Sequence, residues 1–126
     1  MGYFNENSQI MDHFLHPRNV GKINNPDGIG KIGNPMCGDI MELQIKVKEG
    51  IITEAKFQTY GCAAAIASTS SLTELVKGKT IKEALEISHR KIREVLGEMP
   101  SHKYHCTVLA EQALKAAIED YQKKND

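Results

Sequence analysis

Residues 40–58 constrain this chain most. Met41, Leu43, Ile45 and Val47 alternate with Glu42, Gln44, Lys46 and Lys48; Ile51, Thr53, Ala55 and Phe57 then alternate with Ile52, Glu54, Lys56 and Gln58. A period of two marks a strand with one face on a core and the other in water. Two such runs around Glu49-Gly50 read as a β-hairpin. A two-residue turn would set Val47 opposite Ile52 and Ile45 opposite Glu54, mixing the faces. A three-residue loop, Lys48-Glu49-Gly50, sets Val47 opposite Ile51 and Leu43 opposite Ala55, and puts Gly50 where a left-handed residue is wanted. The three-residue loop is the expected register.

Helical chemistry flanks the hairpin. Ile10, Met11, Phe14 and Leu15 mark one face of a short helix over 8–15, which Pro17 ends. Residues 18–39 are rich in Gly, Asn and Pro and read as loop, with one irregular edge strand around Gly28 to Ile32. Ala63 to Val76 reads as a helix stopped at Lys77-Gly78, its Ala63–Ser71 stretch a close packing surface. Thr80-Ile81-Lys82-Glu83 is a capping box opening a short helix. Ser88 caps another, ended by Gly97 and Pro100. The last helix runs from Tyr104 to Tyr121, with Cys106, Leu109, Ala110, Ala113, Leu114, Ala117 and Tyr121 on one stripe and Glu111, Lys115, Glu119 and Gln122 on the wet side. The expected fold is α+β: a small antiparallel sheet of about three strands first, packed on one face by helices, with a long C-terminal helix. With 126 residues the chain is read as one domain, 1–126.

Charge and composition exclude several classes. Lys plus Arg and Asp plus Glu are both 16, so no basic footprint points to nucleic acid. The longest apolar run, Ala63–Ala67, is too short to span a membrane. The N-terminal residues do not form a secretory signal, and a cytoplasmic location is expected. No Ser/His/Asp triad signature, nucleotide loop or paired catalytic carboxylates are visible, so no turnover-enzyme signature competes for attention.

The three cysteines carry the chemistry. Cys37 lies in the loop Gly33-Asn34-Pro35-Met36-Cys37-Gly38-Asp39; Cys62 stands between a strand and a helix; Cys106 follows His105 in the first turn of the last helix. An odd count with no Cys-x-x-Cys argues against a disulfide framework or a thioredoxin-type site. Loop edges and helix N-termini favour thiolate over thiol. Asp39, two residues from Cys37, and His105 beside Cys106 add a carboxylate and an imidazole, the ligand types of zinc and iron–sulfur centres. Any one of these cysteines could equally be an inert small hydrophobe, and Asp39 could simply cap a turn. His13, His16, His89 and His102 read as surface histidines. Spacing alone leaves a shared thiolate site and inert thiols both open.

At these residues the sequence resembles the IscU/NifU-type iron–sulfur cluster assembly scaffolds. The resemblance spans nearly the whole chain: His16-Pro17-Arg18-Asn19-Val20-Gly21, then Gly33-Asn34-Pro35-Met36-Cys37-Gly38-Asp39, then Tyr60-Gly61-Cys62 through Ser70, and finally His105-Cys106 with Leu109-Ala110-Glu111. It implies a scaffold on which a [2Fe–2S] cluster is assembled and handed on to acceptor apo-proteins. Cys37, Cys62 and Cys106 would hold iron and receive sulfur from a cysteine desulfurase. Asp39 would support formation and release, and His105 would serve as a metal ligand. Zinc would occupy the same site in the cluster-free form. In place of the family's Leu-Pro-Pro-Val-Lys chaperone motif stands Glu98-Met99-Pro100-Ser101-His102-Lys103, so the resemblance does not carry over an Hsp70-type chaperone. Ala63 replaces a frequent glycine, which predicts a helix beginning closer to Cys62. The 62–106 stretch lacks the insertion of SufU-type sulfur acceptors, which favours the scaffold, a binding and transfer protein, over a zinc-dependent sulfur relay for a desulfurase; a small domain with a structural zinc site is a further alternative.

Overall fold

β2 (Asp39–Lys48) is the central strand of an antiparallel sheet of order β1-β2-β3, between β1 (Gly28–Asn34) and β3 (Ile51–Tyr60). Four further helices follow α1 (Gln9–Leu15): α2 (Ala63–Val76), α3 (Ile81–Leu85), α4 (His89–Leu96) and, after a 3-10 turn at Ser101–Lys103, α5 (Tyr104–Lys124). This computed structural model describes residues 9–34, 39–97, 99 and 101–124. The expected α+β architecture holds, with α5 on β1 and β2, α2 on β3, and the core between them.

The hairpin corrects the expected register. Lys48 pairs with Ile51 and Val47 with Ile52, so the turn has two residues, Glu49 and Gly50. Both are left-handed, at φ 54° and 77°, the geometry that matches strand twist in a tight hairpin. The mixing of faces is relieved one step further on. Lys46 pairs with Glu54, leaving Thr53 as an extra residue in a bulge. The bulge lets Ile52, Ala55 and Phe57 all face the core with Met41, Leu43 and Ile45. Ile51 is consequently 40% exposed, contrary to the simple alternation.

β1 is a regular edge strand, longer than the irregular one expected. Its glycines explain how α5 lies flush on it. A Cβ at Gly28 would fall 2.2 Å from the Ala117 carbonyl oxygen, and one at Gly30 would fall 2.2 Å from that of Ala113. The other face of the sheet is crossed by a strap. Residues 19–21 run parallel to β3, with Gly21 N–H donating to Phe57 O at 2.9 Å and Phe57 N–H donating to Asn19 O at 3.0 Å. Ile23 N–H then donates to Gln44 Oε1 at 2.7 Å, which satisfies an amide that the strap buries.

α2 is enclosed by α1, β3, α4 and α5, which is why its Ala, Ser and Thr residues are buried over 64–73 as the close-packing reading expects, Ile66 alone being half-buried. Ser68 and Thr69 hydroxyls donate back to the Ala64 and Ala65 carbonyls, and Thr69 Oγ1 also accepts from the Thr59 hydroxyl of β3. The face of α1 differs from expectation: Ile10 and His13 are buried, while Phe14 and Leu15 are 38% and 59% exposed. The Thr80–Glu83 capping box is present as expected. Ser88 occupies the N-cap of α4, but its side chain makes no capping bond. Glu111 of α5 supplies that function, accepting from His89 N–H at 2.6 Å. Glu111 is therefore half-buried rather than on the wet side of α5.

Candidate functional site

The sheet presents one end to the starts of both long helices. β3 ends at Tyr60, paired with Ile40, and β1 ends at Asn34, paired with Asp39. From Tyr60 the chain turns through Gly61 and Cys62 into α2. Cys62 is the N-cap of that helix, as the alanine at 63 predicts, with extended backbone at φ −80° and ψ 174°. Its carbonyl accepts from Ala65 and Ile66 N–H, but its thiol makes no capping bond. Cys106 is the third residue of α5 and is fully buried; Cys62 is half-buried. Both cysteines sit at the N-terminal ends of long helices.

α2 and α5 pack together and bring these ends into contact. Cys62 Sγ lies 3.9 Å from Cys106 Sγ, although the residues are 44 apart in sequence. That is a non-bonded separation, far longer than a disulfide. Two sulfurs each about 2.3 Å from one tetrahedral metal ion would lie about 3.8 Å apart, so this spacing suits a bridging metal without rearrangement.

His105 flanks the pair. Its Nδ1 is 3.0 Å from the His102 carbonyl oxygen. A carbonyl only accepts, so Nδ1 carries the proton and donates. In the neutral ring this leaves the lone pair on Nε2, the nitrogen 3.6 Å from Cys106 Sγ. The 3-10 turn at Ser101–Lys103 thereby sets the tautomer of the neighbouring imidazole, as outer partners of metal-binding histidines do. The acceptor is a backbone carbonyl, so no residue type at 102 signals this bond in the sequence.

Of the five residues singled out from sequence, the structure brings Cys62, His105 and Cys106 together. Asp39 is placed by its backbone as the first residue of β2, at the same sheet end. Cys37 lies outside the described residues. Among the described residues, no three or more His, Cys, Asp and Glu form a group able to hold a metal ion. His16 and His102 are exposed as expected, but His13 is only 6% exposed and His89 is half-buried against Glu111.

The position next to the site that sequence reasoning missed is Tyr104, the first residue of α5. The Arg93 guanidinium of α4 lies over its ring, 4.4 Å from the centroid. Neither residue belongs to a local motif; two helices must pack before the contact exists.

Residues 5–126 match the family described as NifU-like N terminal domain. The chain is 56% identical over 117 residues to iron-sulfur cluster assembly scaffold protein IscU 1 of Archaeoglobus fulgidus, covering 93% of this chain and 76% of that protein. It is 53% identical over 122 residues to the IscU scaffold protein of Escherichia coli strain K12, covering 94% of each. The crystal structure of the N-terminal part of a NifU-like protein from Brucella abortus shares the fold, with a TM-score of 0.80 at 18% identity over 97% of this chain and 96% of that one. With its paired helix-terminal cysteines and a match along nearly its whole length, the chain belongs to the NifU-like N-terminal domain family, alongside the IscU-type scaffolds.

Proposed function

We propose that this protein is a scaffold on which a [2Fe–2S] cluster is assembled and from which it passes to acceptor apo-proteins. The observation that carries the reading is the 3.9 Å approach of Cys62 and Cys106 sulfurs at two helix N-termini. The cluster is cargo, and the protein is a carrier rather than a turnover enzyme. Cys37, Cys62 and Cys106 supply the thiolates, with Asp39 or His105 completing the set. Sulfur arrives as persulfide from a cysteine desulfurase. Three thiolates with a carboxylate or imidazole hold a cluster less firmly than four thiolates would, which suits a site that must also release.

Cys62 and Cys106 differ in access, and the difference suggests a division of labour. The half-buried Cys62 is the sulfur that a partner reaches first; the buried Cys106 is the firm anchor. His105, with Nδ1 held by His102 O, offers Nε2 as a donor whose ring orientation that bond fixes.

Anaerobic reconstitution with ferrous iron, cysteine and a desulfurase tests the reading. The expected outcome is a visible thiolate-to-iron charge-transfer spectrum that disappears on transfer to an apo-ferredoxin. A second reading, a zinc-bound sulfur acceptor, draws on the same spacing, which fits one zinc ion equally well. Tight zinc, stimulated desulfurase turnover and no transferable cluster would favour it.

A further inference from the structure

Helix α4 touches the first turn of α5 on one side of the cysteine pair. Ile92 and Leu96 anchor α4 in the core, at 0% and 2% exposure. Its N-terminus is tied to α5 by Glu111, whose Oε1 accepts from His89 N–H at 2.6 Å and lies 2.9 Å from His89 Nδ1. One turn further along, the Arg93 guanidinium covers Tyr104 at 4.4 Å. α4 is thus fastened to α5 at two points, one on each side of His105 and Cys106 in the sequence.

The first turn of a helix is its weakest, because its N–H groups lack partners within the helix. In α5 that turn carries two of the proposed donors. Tyr104 is 40% exposed, so burial holds its ring only in part. Its backbone is tied by Thr107, whose hydroxyl donates to Tyr104 O at 2.7 Å. Stacking under a guanidinium adds a restraint on the ring itself, and a planar cation suits an aromatic face better than an ammonium does.

We infer that Arg93 is a positioning residue for the cysteine pair: by stacking on Tyr104 it holds the first turn of α5 in register with α4, and so keeps Cys106 Sγ facing Cys62 Sγ. The inference deepens the proposed function only in taking these two sulfurs as the site.

The test reads the sulfur separation directly. In a Cys37→Ala background, Cys62 and Cys106 are the two remaining thiols. Dibromobimane bridges neighbouring thiolates; each displaces one bromide, two C–S bonds replace two C–Br bonds, and the bridged product fluoresces. The bridging rate is compared with single alkylation by monobromobimane and with the thermal midpoint. Arg93→Ala and Tyr104→Ala are each expected to slow bridging about two- to fivefold, the range of an exposed cation–π contact. Single alkylation of Cys62 should not slow. Tyr104→Phe, which keeps the ring, should bridge at the parent rate, and the Arg93→Ala/Tyr104→Ala double variant should bridge no slower than either single one. Parent-rate bridging in Arg93→Ala overturns the inference. So does slowing that tracks the thermal midpoint and adds in the double variant, which marks general destabilisation. The assay needs no iron, and cluster assembly is read separately in proteins that keep Cys37: the expected bridging pattern with no assembly in the Cys37-containing parent defeats the scaffold reading alone, whereas parent-rate bridging with normal assembly in Cys37-containing Arg93→Ala defeats the positioning role alone.

Discussion

His13 Nδ1 lies 2.8 Å from Ser70 Oγ, and through this bond α1 is tied to the middle of α2. Ser70 Oγ also accepts from Arg18 N–H at 2.9 Å, so one hydroxyl secures both the helix and the strap that follows it. Burial, aided by the nearby Arg18 charge, pushes the His13 pKa below its usual value. The unfolded chain therefore binds the proton more readily than the folded one. Stability contributed here is complete above about pH 6.5 and is lost as pH falls from there through the folded-state pKa. Thermal midpoints between pH 7.5 and pH 5 should fall in the parent and fall less in His13→Gln; equal slopes would remove His13 from this role.

Ser70→Ala should destabilise by about 1–3 kcal/mol, because it strands both the Arg18 N–H and the His13 ring nitrogen. Chemical denaturation measures the change. A loss no greater than that of Ala64→Gly, in the same helix, about 1 kcal/mol, would mean that water replaces the hydroxyl.

Glu111 joins α5 to α4. Burial opposes its ionisation, but bonds from Lys115 and His89 prevail and lower its pKa to about 2. Stability from this group is present above about pH 4.5 and is lost as pH falls from there toward 2. Glu111→Ala removes the acceptor at the start of α4 and should cost about 1–2 kcal/mol at neutral pH. Hydrogen exchange should show the loss first in α4 amides; uniform loss across the fold would argue against a local cap.

Gly30→Ala places a methyl group where the Ala113 carbonyl stands, 2.2 Å away. Neither the strand nor the helix backbone can yield cheaply, so the substitution should cost about 3 kcal/mol, at the upper end of overpacking. The measurement is the denaturation midpoint. A neutral result would show that α5 can ride up from β1.

Zinc should bind more tightly at pH 8 than at pH 6, since thiolate and neutral imidazole are the binding forms. Cys62→Ala or Cys106→Ala should weaken binding by roughly 100-fold or more, beyond the loss expected for an outer partner. Competition with a chromophoric chelator reads both effects, and pH-independent affinity would point away from thiolates.

Asp39→Ala should keep the cysteine site and slow cluster transfer more than assembly. A carboxylate is a harder, more exchangeable iron partner than a thiolate, so it suits the step of release. Cluster half-life with and without apo-ferredoxin, beside the thermal midpoint, decides this. Unchanged transfer with a lowered midpoint would leave Asp39 a turn residue.

Local patterns determined much of this protein. The alternation in 41–47 made a strand because its side chains had to separate core from water. The Thr80–Glu83 box, the stop at Lys77-Gly78 and the start of α2 beside Cys62 depend on neighbours within one turn, so they were legible from the sequence. Cys62 and Cys106 at the starts of helices were legible for the same reason.

What only the tertiary structure decided involves partners far along the chain. Ile52 rather than Ile51 enters the core because the tight turn at Glu49-Gly50 and the bulge at Thr53 trade parity between them, and a period of two cannot reveal an inserted residue. His13 is buried because Ser70, 57 residues away, offers it a partner. Glu111 leaves the wet face because α4 brings an uncapped N-terminus to it. The 3.9 Å approach of Cys62 and Cys106 exists because α2 and α5 start at one end of the sheet and pack side by side. Sequence placed reactive groups at the ends of elements; helix packing alone could bring those ends together.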